Sequence, residues 1–188
     1  MSIFLKYLLE HNDLFKNLDH LDSVVSKASD IIVKSFVDGG KLLIAGNGGS
    51  ASDSQHIASE FTGRLIKDRR PLPALSLVTD TSALTCIPND YSFDDVFSRQ
   101  ISALGNNNDV FIGITTSGNS GNIINAFKCC QDMGITTIAL LGKDGGLAKD
   151  FADVSIIIPS NTTARIQEAH ILVGHAICAN VESSMGLV

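Results

Sequence analysis

A histidine and a glutamate four residues apart, His56 and Glu60, follow a glycine-rich loop in the stretch IAGNGGSASDSQHIASE (residues 44–60). Residues at this spacing share one face of a helix, where they could act as a general acid and base. Arg64 continues the same face. On periodicity alone, a solvated Glu60–Arg64 ion pair beside an exposed histidine is the favoured interpretation. The helix, however, starts from a loop with the features of a ligand site.

The last predicted helix carries Gln167, Glu168, His170 and His175 within an otherwise apolar segment. The two histidines are five residues apart, about 140° around a helix, so they do not share a face. A neutral imidazole among apolar residues needs a hydrogen-bond partner. We assign His175 to chemistry and His170 to a structural role.

The glycine loop, residues 46–50, follows one apolar run and opens a helix. Glycines let a backbone approach a ligand closely, and free amides at a helix start favour an anion. The letters GNGGSA also match the dinucleotide fingerprint, which requires an acidic residue about 20 positions later. The second apolar run ends about 30 positions later, and we predict Asp80 there to be a helix N-cap. This loop alone leaves a ligand site and a simple tight turn equally open.

A second loop, in GITTSGNSGNIINA (residues 113–126), also follows an apolar run and opens a helix. Hydroxyls and backbone amides at a helix N-terminus can hold a phosphate without a lysine. A serine N-cap needs only one or two hydroxyls. The excess favours a phosphate site, which a phosphosugar needs and a dinucleotide fold does not. The polar residues in question are Thr115, Thr116, Ser117, Asn119 and Ser120.

The elements that must position these residues alternate along the chain. Five short runs without polar alternation, KLLIAG, PALSLV, DVFIGIT, TTIALLG and VSIIIPS, are typical of parallel strands buried on both faces. Helices are predicted at 3–15 and 20–37, then between the strands at 51–66, 80–88, 92–104, 121–133 and 145–150, and last at 162–185. The fold class is therefore α/β: an open parallel sheet of about five strands with helices on both faces, preceded by N-terminal helices. Ligands in such sheets bind at the carboxyl ends of the strands.

Composition bounds the function. The 188 residues suit a single domain, which we divide into N-terminal helices (1–38), a parallel α/β core (39–160) and a C-terminal helix (161–188). The net charge of −6 argues against a nucleic-acid surface and requires local donors for any phosphate. We expect the four cysteines to be reduced core thiols of a cytoplasmic protein. The N-terminal segment has neither the cleavage site of a signal peptide nor the length of a membrane span.

Four stretches together resemble the sugar isomerase (SIS) domain family: AGNGGSASDSQHIASEFTGR, TSALTCIPNDY, ITTSGNSGNI and TARIQEAHILVGHAICANVE. Within that family they are similar to the sedoheptulose 7-phosphate isomerases. The resemblance runs from about residue 5 to 185. The hydroxyl-rich loop is shared by all SIS proteins, whereas the H-x-x-x-E pair and the R-I-Q-E-x-H-x-x-x-x-H run are much more specific to the isomerases.

The resemblance implies an aldose–ketose isomerase that converts sedoheptulose 7-phosphate to D-glycero-D-manno-heptose 7-phosphate, feeding bacterial heptose biosynthesis for lipopolysaccharide or capsule. Moving the carbonyl through an enediol(ate) requires one group to take a proton from carbon and another to protonate oxygen. The resemblance gives these catalytic roles to Glu60 and His175. It implies that the substrate contacts Asn47, Gly48, Gly49, Ser50, Glu60, Asn89, Asp90, Thr115, Thr116, Ser117, Ser120 and Gln167.

The same resemblance implies one zinc ion per subunit, held by His56, Glu60, Gln167 and His175, and no nucleotide cofactor. Zinc would polarise the carbonyl and stabilise the enediolate. Gln167 and His175 are eight residues apart, about 12 Å along a straight helix. To share one ion they must lean toward each other, lie on a bent helix, or come from different subunits.

Family members are tetramers, so the resemblance implies a homotetramer with phosphosugar sites at subunit interfaces and no nucleic-acid or membrane partner. The two leading helices carry apolar stripes that could form such an interface or could simply cover the sheet. The alternative is a non-catalytic SIS protein that binds phosphosugars or associates with the bacterial replication initiator. That relative lacks the residues matching Glu60 and His175, so the enzyme is favoured.

Overall fold

The computed structural model describes all 188 residues and contains one parallel sheet of five strands. Its order is β2-β1-β3-β4-β5, which confirms the expected α/β class. The run at 73–78 contributes only three residues, because β2 is an edge strand that pairs with β1 alone. The strands are β1 (Leu42–Gly46), β2 (Ala74–Ser76), β3 (Val110–Thr115), β4 (Thr136–Gly142) and β5 (Val154–Ile158).

Seven α-helices accompany the sheet: α1 (Ile3–Phe15), α2 (Asp22–Val37), α3 (Gly49–Thr62), α4 (Thr81–Asp90), α5 (Val96–Leu104), α6 (Gly121–Met133) and α7 (Thr163–Ser184). The helix predicted at 145–150 is wrong. Only a 3-10 turn forms there, at Ala148–Asp150, because Gly145 and Gly146 both adopt positive φ. None of these helices combines the length and the apolar character needed to cross a bilayer.

The helices cover both faces of the sheet, as the unbroken apolar runs predict. Leu42 and Ile44 of β1 point into a core with α2, α3 and α7. Leu43 and Ala45, one position out of phase, point into a second core with α5 and α6. Burial on both faces explains why these strands lack polar alternation.

The two leading helices have different roles. α2 buries five of its residues and packs against α7 and β5, so it covers the sheet. α1 buries none. It is attached to α7 by a hydrogen bond between His11 and Glu168 (2.8 Å) and leaves Ile3, Phe4 and Leu9 more than half exposed.

None of the four cysteines is paired. Cys130 and Cys178 are buried and Cys129 is half-buried, as expected of core thiols. For Cys86 the core assignment is wrong, because it lies exposed on α4.

Candidate active site

Three of the predicted site residues meet where α3 and α7 lie side by side. Nε2 of His56 is 3.1 Å from Oε1 of Glu60 and 3.5 Å from Nε2 of His175. The ligand atoms of all three lie within 4.8 Å of one another. Glu60 is half-buried, with 19% of its side chain exposed, whereas His56 is open to solvent. The Glu60–Arg64 ion pair favoured by periodicity does not form, since Glu60 is paired with His56 instead.

The close approach of the two helices depends on a glycine. A Cβ on Gly174 would lie 2.7 Å from the side chain of Ile57, closer than real carbon contacts allow. The same register continues along both helices, which run parallel: Gln167 lies against Gly49, and Glu182 reaches the amide of Leu65. This packing places His175, beside Gly174, against His56, beside Ile57.

Gln167 lies apart from the other three residues that we expect to hold zinc. Its amide packs against Gly49, at the start of α3, where a Cβ would come within 2.3 Å of its Nε2. His56 is seven residues further along α3, about 10 Å away. α7 is a single helix from Thr163 to Ser184. Within one chain the structure therefore brings together His56, Glu60 and His175, and places Gln167 at the glycine loop.

The glycine loop lies at the point where the strand order reverses, between β1 and β3. The Asn47 and Asn122 side-chain amides donate to each other's oxygens, each at 2.9 Å, and join this loop to the start of α6. Gly48 adopts φ +57° and is exposed, so this position favours glycine for its backbone conformation. Ser50 is buried beneath the loop. The amide of Asn47 is thus engaged within the protein, while Gly48 and Gly49 face outward.

The hydroxyl-rich loop after β3 is ordered by its own side chains. Thr115 shares a hydrogen bond with Ser120 (2.9 Å) and lies 3.3 Å from the Ser117 hydroxyl. Ser120 is at the N-cap of α6 but makes no side-chain capping bond. A simple N-cap therefore does not account for this hydroxyl. Its arrangement at a helix N-terminus, with Thr116 and Ser117 also partly exposed, is suited to an oxyanion.

The loop after β4 supports the hydroxyl-rich loop, a contact the sequence analysis missed. A Cβ on Gly118, which has φ +67°, would fall 2.1 Å from the Gly145 carbonyl oxygen. The amide of Ala148 donates to the Gly118 carbonyl (2.8 Å), and the amide of Leu147 to the Asn119 side chain (3.1 Å). The glycines at 118, 145 and 146 are the sequence feature that could have indicated this contact, because the two backbones approach too closely for side chains.

Asn89 and Asp90 lie exposed at the end of α4. The Asn89 amide donates to Asp90 (2.7 Å), and this bond, with one from the Cys86 thiol, lowers the pKa of the Asp90 carboxyl. No hydrogen bond or ion pair joins the two residues to the other expected site residues of the same chain. At the other end of α4, Asp80 caps the helix by accepting from the amides of Ser82 and Ala83, which confirms its assignment as an N-cap.

His170 has the structural role that we assigned to it. It is fully buried, and its Nε2 lies 3.0 Å from the Leu141 carbonyl oxygen of β4. Burial lowers the pKa of His170 to about 4, so the ring is neutral near pH 7. His170 faces the sheet while His175 faces α3, as their angular separation predicts.

Comparisons with known proteins agree with this fold. A family model described as the SIS domain matches residues 6–142. The phosphoheptose isomerase of Aliarcobacter butzleri is 48% identical over 98% of both chains, and that of Sulfurimonas denitrificans is 51% identical over 89% of this chain and 86% of its own. The structure of phosphoheptose isomerase GmhA from Neisseria gonorrhoeae has a TM-score of 0.91 and 42% identity, covering 96% of this chain and 97% of that one.

The chain belongs to the phosphoheptose isomerase family of SIS-domain proteins. Membership confirms the family resemblance of the four sequence stretches and identifies the chain as a sugar phosphate isomerase. The non-catalytic alternative is not favoured, because the relatives are isomerases over nearly the whole chain and Glu60 and His175 are neighbours in space.

Three further residues contact or adjoin the phosphoheptose isomerase site, and the sequence analysis missed them. Arg69 and Glu182 form a buried ion pair (2.7 Å) at the ends of α3 and α7. Asp53 lies one helical turn before His56, and burial raises the pKa of its carboxyl while the charge of His56 lowers it. No local pattern marks Arg69 and Glu182, which are 113 residues apart, whereas the spacing of three residues between Asp53 and His56 could have indicated their proximity.

Proposed function

We propose that this chain interconverts sedoheptulose 7-phosphate and D-glycero-D-manno-heptose 7-phosphate in the cytoplasm, supplying bacterial heptose biosynthesis for lipopolysaccharide or capsule. The observation that supports this reaction is the meeting of Glu60 and His175 on adjacent helices, one of which starts at the glycine loop. A carboxylate and an imidazole are the pair that carbonyl migration needs. The resemblance to named phosphoheptose isomerases supports the choice of substrate.

In the proposed mechanism, the hydroxyls of Thr115, Thr116, Ser117 and Ser120 hold the 7-phosphate at the N-terminus of α6. Ser50 lies beside these phosphate-binding residues, and the sugar is bound by Asn47, Gly48, Gly49, Asn89, Asp90 and Gln167. Glu60 takes the proton from the carbon next to the carbonyl and returns it to the neighbouring carbon. His175 donates a proton to the carbonyl oxygen, and it takes a proton from the hydroxyl on the neighbouring carbon as the new carbonyl forms there. Both groups lie in a half-buried position, where solvent competes less for the transferred proton.

The residues His56, Glu60 and His175 also fit a zinc ion. Two imidazoles and one carboxylate are a common zinc donor set, and tetrahedral bonds of about 2.1 Å place donors about 3.4 Å apart. The two separations from His56, 3.1 Å to Glu60 and 3.5 Å to His175, are close to that spacing, and all three ligand atoms lie within 4.8 Å of one another. When bound, zinc would act as a Lewis acid toward the substrate oxygens. We propose Gln167 as the fourth ligand, and its position at the glycine loop favours a contribution from a second subunit.

We also propose a homotetramer with its sites at subunit interfaces. The exposed apolar residues of α1 support an interface on that helix. α4 buries none of its ten residues within this chain, which supports contact of Asn89 and Asp90 with a neighbouring subunit. Light scattering of the purified protein tests the tetramer directly, and a monomer would contradict it.

The decisive experiment is incubation of the purified protein with sedoheptulose 7-phosphate, with the aldose product measured in the presence and absence of a chelator. We expect product to form and a strong chelator to abolish its formation. Full activity in the protein stripped of metal would show that Glu60 and His175 catalyse the reaction without zinc. Binding of the sugar phosphate without turnover would contradict the proposed reaction.

A further inference from the structure

The segment that follows α3 folds back and places a buried arginine, Arg69, at the end of that helix. Only 1% of the Arg69 side chain is exposed, and 3% of its partner Glu182. The Arg69 Nε donates to Oε1 of Glu182 at 2.7 Å. A fully buried ion pair requires that its remaining donors also be satisfied.

The remaining donors of Arg69 bind the carbonyl oxygens at the end of α3. Nη2 donates to the Glu60 carbonyl at 2.6 Å, and Nη1 to those of Phe61 (2.7 Å) and Gly63 (2.9 Å), with a further contact to the carbonyl of the adjacent Arg70 (3.0 Å). The last carbonyls of a helix have no partners within the helix, and a cation there is favourable. The guanidinium therefore closes the helix at the turn that carries Glu60.

The other half of the ion pair lies on the helix that carries His175. Glu182 follows His175 by seven residues, two turns along α7, and its Oε1 also accepts from the Leu65 amide (3.4 Å). Glu60 and His175 thus each lie within about two turns of one ion pair that joins their helices. The pair and Gly174 limit sliding of α3 along α7 in this region.

We propose that Arg69 and Glu182 are positioning residues, which fix the Glu60 carboxylate relative to the imidazoles of His56 and His175. They touch neither substrate nor metal in this role. The inference rests on the proposed function for its catalytic consequence, while its consequence for zinc binding does not require turnover. A displacement near 1 Å at a reacting group can lower a rate by about 100-fold.

The test compares the wild type with two altered forms of the full chain. The double variant Arg69→Met with Glu182→Met avoids the large cost of leaving either charge buried without its partner. Arg69→Lys keeps the charge opposite Glu182 but cannot reach the helix carbonyls as a planar fork. The control is Lys41→Met, which breaks another ion pair (2.5 Å, with the nearly fully buried Asp109) at the amino end of the sheet and so destabilises the fold away from the site.

In both altered forms we expect kcat to fall by about 10- to 100-fold while the KM for sedoheptulose 7-phosphate changes by less than about 3-fold. The Kd for zinc, measured by competition with a chelating dye, should rise by about 10- to 100-fold. Lys41→Met should lower the melting temperature without changing either quantity. A purely structural ion pair would behave like that control.

Unchanged zinc affinity and kcat in the double variant would overturn the proposal. If the double variant does not fold, Arg69→Lys decides by the same two readouts. A wild type that binds zinc without isomerising the sugar would defeat the proposed function, and the zinc Kd would then test the positioning role alone.

Discussion

Nε2 of His175 lies 3.5 Å from Nε2 of His56, although 119 residues separate them in the chain. With Glu60 beside them, the two imidazoles form a cluster from two parallel helices. α3 contributes the Glu60 carboxylate and the His56 imidazole to this cluster, and α7 contributes the His175 imidazole. The chemistry of the site therefore depends on the packing between the two helices, and the predictions below alter its parts one at a time.

Replacing Glu60 with Gln keeps the side-chain size and removes the base. We expect kcat to fall by about two to four orders of magnitude, the usual range for loss of a general acid or base. The exposed acid Asp132 on α6 offers a matched control, since Asp132→Asn makes the same chemical change away from the site. Near-normal turnover of Glu60→Gln in the isomerase assay would show that Glu60 is not the base and only pairs with His56.

His175→Gln separates the proton-transfer and metal roles of the imidazole. If His175 is a zinc ligand, the variant should show both low turnover and low zinc content by elemental analysis, because the loss of one ligand weakens such a site sharply. Added zinc should restore a chelated wild type and not the variant. Lost turnover with full zinc content would assign His175 to proton transfer alone.

Ser117→Ala and Ser120→Ala should each raise the KM, because a lost hydrogen bond to a charged group costs about 1.5–3 kcal/mol. The melting temperature should fall only slightly, because each variant loses hydrogen bonds within the loop but no capping bond to the amides of α6. Ser102→Ala, at an exposed site on α5, is the control. The phosphate role would be refuted if the wild type bound phosphorylated and dephosphorylated sugar equally well.

The neutral buried His170 makes the fold sensitive to acid. Its pKa is about 4 in the folded chain, below the ordinary value of 6.5, because burial disfavours the charged ring. Between these values the unfolded chain binds more protons, so stability rises with pH there and is lost as the pH falls from 6.5 towards 4. The full effect corresponds to about 3 kcal/mol.

Urea unfolding at pH 7.5 and 5 measures this effect. We expect His170→Gln to lose less stability between the two pH values than the wild type, because the amide does not titrate. His20→Gln, at an exposed histidine, should keep the wild-type difference. Equal losses in all three proteins would show that other groups determine the acid sensitivity.

Gly174→Ala tests the contact that lets α3 and α7 approach. Alanine favours a helix by about 1 kcal/mol, whereas overpacking against Ile57 costs about 1–3 kcal/mol, so we expect a net destabilisation. The forced separation should also lower kcat. Adding Ile57→Ala removes the clashing atoms and should restore part of kcat in a double-mutant cycle. Independent, additive effects would contradict the helix-spacing argument.

The sequence by itself determined the strands and most of the helices. Unbroken apolar runs require burial on both faces, and Asp80 and the 113–126 stretch mark helix starts, because these signals come from neighbours within one or two turns. The same reasoning from near neighbours wrongly predicted an ion pair between Glu60 and Arg64. Periodicity places residues on a face, but it does not say what else that face meets.

Only the tertiary structure decided which side chains share the site. His175 reaches His56 because Gly174 removes a side chain between the helices, and Arg69 closes α3 because the chain folds back onto Glu182. The same packing holds Gln167 at the glycine loop, about 10 Å from the cluster. Residue spacing along the sequence had left the position of Gln167 relative to His175 open. Contacts between distant segments depend on shape and burial across the whole core, and no short stretch of sequence carries that information.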